Sequence, residues 1–236
     1  MIVEICANSF ESAQAAQFAG ADRIELCRDL SVGGLTPLMA TIEKVTQELT
    51  IPVHVLIRPR SGNFYYTASE LQDMLHTISL CQKLGCTGIV SGVLTSEKTI
   101  DQNATNQLLE ACQGMEFSFH RAFDECDNWR DALAFLTSIP VTRLLSSGQK
   151  VKAIDGLPTL VEMKNSAKER LQIMPGGGIT EENVLAFKDA GFDMVHFSAT
   201  KKAEAKEVDS LFNIGVVGNS NQLTIEKMIK ILANDA

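Results

Sequence analysis

Several features that would point to familiar partners are missing from these 236 residues. No cluster of lysine or arginine stands out, and the formal net charge is −8 with a pI near 5.1, so the electrostatic footprint of a nucleic-acid or anionic-membrane binder is absent. No stretch approaches the run of about 18 uninterrupted apolar residues that a membrane helix needs. The opening MIVEICANSF starts directly as a strand-like run, with no basic segment, long apolar segment or small-residue cleavage site, so export is not expected. None of the six cysteines (6, 27, 81, 86, 112 and 126) sits in a CxxC pair, and no zinc-ligand spacing is present. These absences predict a soluble cytoplasmic protein with buried free thiols and a small partner.

What the sequence does have is rhythm. Short β-branched runs near 2–6, 23–27, 53–59, 88–94, 116–123, 142–148, 172–177 and 193–199 alternate with segments of helical period. Helices are expected over 9–18, 37–48, 68–84, 104–112, 129–138, 157–167 and 181–190. Ser9, Thr36 before Pro37, and Thr180 before Glu181 supply N-terminal caps, and Gly85 and Gly191 supply stops. Eight parallel strands joined by helical crossovers in roughly 250 residues close most naturally into a single (β/α)8 TIM barrel, with a doubly wound sheet as the runner-up. Residues 200–222 break the pattern as an irregular connection, either a lid or a surface loop, before an amphipathic closing helix over 223–234.

A barrel concentrates its chemistry at the C-terminal ends of its strands. Strand period two groups Glu4 with Cys6, Arg23 with Glu25 and Cys27, His54 with Leu56 and Arg58, Ser118 with His120, and His196 with Ser198. If those faces point inward, the mouth gathers carboxylates, imidazoles, guanidiniums and thiols. Such burial is costly unless the groups pair or bind something. One reading is an ion network among Glu25, Arg58, His120 and Asp124. Another is catalytic: Glu25 or His120 moves a proton, with Glu4 and Asp124 as further candidates.

Three segments could hold an anion. MPGGGITEEN ends the seventh strand in Gly176, Gly177 and Gly178 and is expected to open a helix at Thr180, exposing backbone N–H groups. Ser198 after the eighth strand occupies the other half of the usual barrel phosphate position. Arg58 and Arg60 flank a proline ahead of an aromatic loop, a spacing that can clamp an oxyanion. Arg121 is a second-choice ligand, because strand parity with His120 turns it the other way. Cys6 and Cys27 end neighbouring strands at similar heights, and two nearby thiolates suit Cu(I).

DRIELC (22–27), GGLTP (33–37), HVLIRPRSGNFYY (54–66), FHRAFD (119–124), LLSSGQK (144–150) and MPGGGI (174–179) together resemble successive signatures of the CutC family, named for copper homeostasis. The resemblance runs from Met1 to about Ala199. It implies a cytoplasmic barrel, a homo-oligomer (dimer or tetramer), and Cu(I) bound through cysteines, here Cys6 and Cys27. The residues also support an enzyme acting by acid–base chemistry on a phosphorylated or carboxylated small metabolite, so the expected partner is a copper ion or a small anionic metabolite.

Overall fold

The computed structural model describes residues 1–202 and 217–234. Eight parallel strands form one sheet: β1 (Ile2–Ala7), β2 (Arg23–Leu26), β3 (Val53–Leu56), β4 (Gly88–Ser91), β5 (Glu116–Phe119), β6 (Arg143–Ser146), β7 (Gln172–Pro175) and β8 (Met194–Phe197). Their order is β7-β6-β5-β4-β3-β2-β1-β8, and a parallel bridge from Gly176 to His196 joins the two ends. The helices are α1 (Phe10–Phe18), α2 (Met39–Glu48), α3 (Ala68–Lys83), α4 (Gln102–Ala111), α5 (Trp129–Ser138), α6 (Leu157–Ala167), α7 (Val184–Asp189) and α8 (Gln222–Asn234). This is the expected (β/α)8 barrel. Among the described residues, no helix is long and apolar enough to cross a membrane.

The strand alternation sorts side chains into two compartments. Val3, Ile5, Ile24, Val55, Phe117 and Val195 face outward and merge with Ala13, Ile42, Ile78, Leu133 and Phe187 of the helices into one continuous core. The opposite faces fill the barrel, where Cys6, Cys27, Leu56 and Val90 make one apolar group and Leu145, Met174 and Met194 another. Glu4, Arg23, Glu25, His54, Ser118, Arg143 and His196 share this interior with them, all buried.

Local chemistry explains most element ends. Ser9 accepts from the Ser12 amide at the start of α1, Thr67 and Glu70 form a reciprocal capping box on α3, and Asn128 caps α5. The fourth helix starts two residues earlier than expected, at Gln102, and two others start later. The second helix begins at Met39, because the Thr36 hydroxyl accepts from the Arg58 amide and so ties its loop to the end of β3. The seventh begins at Val184, since Asn183 folds back on the Thr180 amide and the Gly178 carbonyl to make an intervening turn. At the expected connection, Thr200–Lys202 and Val217–Ser220 pair as antiparallel strands β9 and β10. The central part of that stretch, 203–216, lies outside the described residues, and with it most of the proposed lid.

Candidate functional site

At the mouth of the barrel the thiols of Cys6 and Cys27 lie 3.6 Å apart. The chain reaches this arrangement through register. Cys6 pairs with Glu25 across the β1–β2 ladder, and the next in-facing position beyond Glu25 is Cys27. Glu4, two residues before Cys6, pairs with His196 on β8. The result is a compact buried group in which ligand atoms of Cys6, Glu25 and His196 all lie within 4.8 Å of one another.

His196 organises the group. Its Nδ1 is 2.8 Å from Glu4 Oε1 and its Nε2 is 3.3 Å from Glu25 Oε2. Arg23 Nε donates to the other oxygen of Glu4 at 2.5 Å. Burial opposes charge on His196, but hydrogen bonds to Cys6 and Glu4 and the charges of Glu25 and Glu4 prevail and hold it protonated well above the ordinary imidazole range. Burial likewise opposes ionisation of Glu4, yet His196 and Arg23 together keep that carboxyl far below its usual range. Glu25 lacks an arginine, and burial pushes it up to about 7, helped by the nearby charge of Glu4. The Cys6 thiol is pushed well up by its hydrogen bond to Cys27 and by burial.

A loop covers the thiols. Residues 28–36 leave β2 through Asp29 in the left-handed region, form a short 3-10 turn at Leu30–Val32 and return by a bridge from Arg28 to Leu35. Leu30 packs on Cys6 and Cys27. Gly34, at φ +88°, lies so close to the pair that a Cβ there would stand 3.6 Å from Cys27 Sγ and 2.8 Å from Leu56 Cδ2. A cleft of about 480 Å³, lined by Asn8, Ser9, Arg28, Leu38, Lys44 and neighbours, reaches Cys27 from the outside.

The arginines expected to clamp an anion have other engagements. Arg58 is buried and donates to the carbonyls of Val32 (2.8 Å), Gly34 (3.0 Å) and Gly62 (2.9 Å), with its guanidinium over the Phe64 ring. Arg60 pairs with Glu70 at 2.5 Å and donates to Asn63 and the Tyr65 carbonyl. Arg121 donates to Asp124 (2.9 Å) and to the Ser147 hydroxyl (2.7 Å). Arg58 and Arg121 brace separate loops, and Arg60 ties its own loop to the start of α3.

Strand parity misplaces Arg121 because β5 ends at Phe119. His120 caps a 3-10 turn, Arg121–Glu125, which swings Arg121 against Gly177 and puts Asp124 under the β6 loop. Asp124 accepts from the Ser146 and Ser147 hydroxyls and from the amides of Ser147 and Gln149, so its role here is to fix that loop. His120 accepts from the Ala122 amide through Nδ1 and lies edge-on to Phe64. Burial, with the charge of Arg58, lowers its pKa to about 3, so it is neutral. The proposed network of Glu25, Arg58, His120 and Asp124 does not form as such, since each finds the separate partners just described.

The glycine run is likewise not at a helix start. Gly176 makes the β7–β8 bridge, Gly177 lies under the Arg121 guanidinium, and a Cβ on Gly178 would meet the Lys152 side chain. Ser198 exchanges a hydrogen bond with Thr200 at 3.2 Å. The alternation grouped His196 with the mouth residues without marking it as a site residue. Its signal was an imidazole on the strand that closes against β1.

Comparison with known proteins agrees with this architecture. The CutC family model matches residues 1–201. The chain belongs to the CutC family. It is 41% identical over 199 residues to a family protein CutC of Pasteurella multocida, covering 84% of this chain and 82% of that one, and 43% identical over 198 residues to its Salmonella schwarzengrund counterpart, covering 84% and 79%. Among solved structures, a CutC from Streptococcus agalactiae, whose description associates it with copper homeostasis, superposes with a TM-score of 0.80 at 34% identity, covering 84% of this CutC-family chain and 98% of that one. A thiamine phosphate pyrophosphorylase from Pyrococcus furiosus, 14% identical with a TM-score of 0.62 over 99% of this chain and 96% of its own, shares the barrel fold alone.

Proposed function

We propose that this CutC-family protein binds Cu(I) through Cys6 and Cys27 in the cytosol. The observation that carries the reading is the pair of thiols 3.6 Å apart at the barrel mouth. Two soft sulfur donors at this separation can close on a cation that accepts low coordination numbers, whereas hard divalent ions call for a cage of oxygen ligands. The apolar cover of Leu30, Leu56 and Val90 keeps water from competing. All six cysteines are free and buried, in keeping with a reducing compartment.

The surrounding charges fit that cargo. Two thiolates on a monovalent cation leave one net negative charge, and the His196 imidazolium beside Cys6 offsets it. Because Cys6 holds its proton strongly, binding releases protons and weakens as pH falls. Glu4 keeps His196 oriented and charged through Nδ1. The acid–base reading has less support, because Arg58, Arg60 and Arg121 are all taken up by contacts within the protein.

Anaerobic titration with Cu(I) against a chromogenic chelator tests the proposal. The Cys6→Ser/Cys27→Ser double variant is expected to lose one tightly held equivalent relative to the wild type. Unchanged stoichiometry and affinity in the double variant would remove the site.

A further inference from the structure

A second pair of cysteines lies at the opposite end of the barrel, where α3 runs into β4. The helix ends with two linked hydrogen bonds: the Cys86 amide donates to the Cys81 carbonyl at 3.1 Å, and the Gly85 amide donates to the Gln82 carbonyl at 3.1 Å. Gly85 is in the left-handed region at φ +77°. This is the six-to-one, five-to-two pattern of a glycine-terminated helix, in which the side chains at the two ends of the outer hydrogen bond characteristically touch. Those positions are usually apolar. Here both are thiols.

We propose that Cys81 and Cys86 are a redox modification site that closes to a disulfide on reaction with a low-molecular-weight disulfide. The helix-ending turn brings the backbone of the two residues together, which is the proximity a disulfide needs. Cys81 is fully buried, whereas Cys86 lies just under the surface between exposed Gly85 and Thr87. The neighbouring Cys86 thiol and burial push Cys81 up, so Cys81 holds its proton firmly. Cys86, the less deeply buried thiol and flanked by exposed residues, is the attacking group. Its thiolate attacks one sulfur of the small disulfide, the S–S bond breaks, and one small thiol leaves carrying the proton. Cys81 then attacks the mixed disulfide at Cys86 and expels the second small thiol, which takes the Cys81 proton. Two protein thiols are oxidised and one small disulfide is reduced to two thiols. The product is uncharged, which suits the apolar surroundings and the negative end of the α3 dipole better than a thiolate does. Cys112, at the end of α4, is a third buried thiol near Cys81 and is the competing partner.

The test is to treat the native wild type and the Cys6→Ser/Cys27→Ser variant with oxidised glutathione, block remaining thiols with N-ethylmaleimide and digest with trypsin without reduction. Cleavage after Lys83 separates the two cysteines in sequence, so a Cys81–Cys86 disulfide appears as two peptides that part only on reduction. The proposal expects this linked species in both proteins and, with Cys112→Ala, undiminished. Recovery of Cys86 only as its glutathione adduct, of Cys81 joined to Cys112, or of both thiols blocked by maleimide would overturn it. The readout does not depend on copper, so it stands or falls separately from the mouth site.

Discussion

Arg58 shows how a buried guanidinium can serve a site without touching it. Its donors hold the Val32 and Gly34 carbonyls of the loop over the thiols and the Gly62 carbonyl of the next loop. A lysine carries one compact ammonium and cannot span three acceptors in a plane. Arg58→Lys is therefore expected to destabilise the fold by about 1–3 kcal/mol, the range for lost charged hydrogen bonds. It should also open the loop. In a Cys81→Ala/Cys86→Ala background, native-state reaction with a chromogenic disulfide reagent measures that opening at Cys6 and Cys27, with faster labelling expected in the variant, and an unchanged rate would show that Arg58 does not hold the cover. At this scale the sequence was partly readable. Period two puts Glu4 with Cys6 and Glu25 with Cys27 on shared faces, whereas which face turns inward, and the partners that Arg58 and Arg121 find in other loops, depend on the closed barrel.

The elements that place the site are short, and their turns decide more than their strands do. The β2–α2 loop must double back within a few residues to cover Cys27, and it does so with Asp29, Gly33 and Gly34 all at positive φ. At Gly34 the requirement is twofold, because the backbone is left-handed and the space of a Cβ is taken by Leu56. Gly34→Ala should cost about 1–2 kcal/mol from the backbone alone, with the Leu56 contact adding to it. Urea unfolding measures the loss, and a variant as stable as the wild type would mean that the loop relaxes freely and is no rigid cover. The strands themselves were legible, since eight apolar runs at regular spacing leave few alternatives. Their ends were less so: β5 was expected to reach residue 123 but yields at Phe119, where His120 accepts from the Ala122 amide and starts a turn. A hydrogen bond between a side chain and a backbone group two residues on competes with the ladder, and apolar periodicity cannot register it.

Across the whole barrel, the interior divides into two poles of opposite purpose. The thiols, His196 and Glu25 occupy the C-terminal end. At the N-terminal end Glu116 gathers the inward cations, pairing with Arg143, with His54 Nε2 at 3.2 Å and, more distantly, with Arg23 Nη1 at 3.9 Å. The His54 ring lies across Gly88, where a Cβ would come within 2.5 Å of it, so β4 is built to admit the imidazole. A cleft of about 470 Å³ lined by Arg23, Glu116, Arg143 and Arg170 opens this pole to solvent. In barrels such a pole serves stability while the other carries function. The hydrogen bond from His54, with those and the charge from Arg143, lowers Glu116 to about 2. A carboxyl lowered in the fold binds fewer protons there than in the unfolded chain, so its stabilising effect is complete above its ordinary 4.5 and disappears as pH falls through about 2. Glu116→Gln should thus lower stability at pH 7, by about 1 kcal/mol once solvent screening of this half-exposed side chain is allowed for, and should flatten the decline of stability on acidification toward pH 2. It also leaves Arg23 and Arg143 facing each other with less to separate their charges. Urea unfolding at pH 7 and at about pH 3, alongside a Cu(I) titration, separates the two poles: stability should change while copper stoichiometry does not. If Glu116→Gln matched the wild type in both stability and its pH slope, the acidic knot would have no structural role. If it abolished copper binding, the poles would be coupled through Arg23 and Glu4, the one chain of ion pairs that connects them among the described residues.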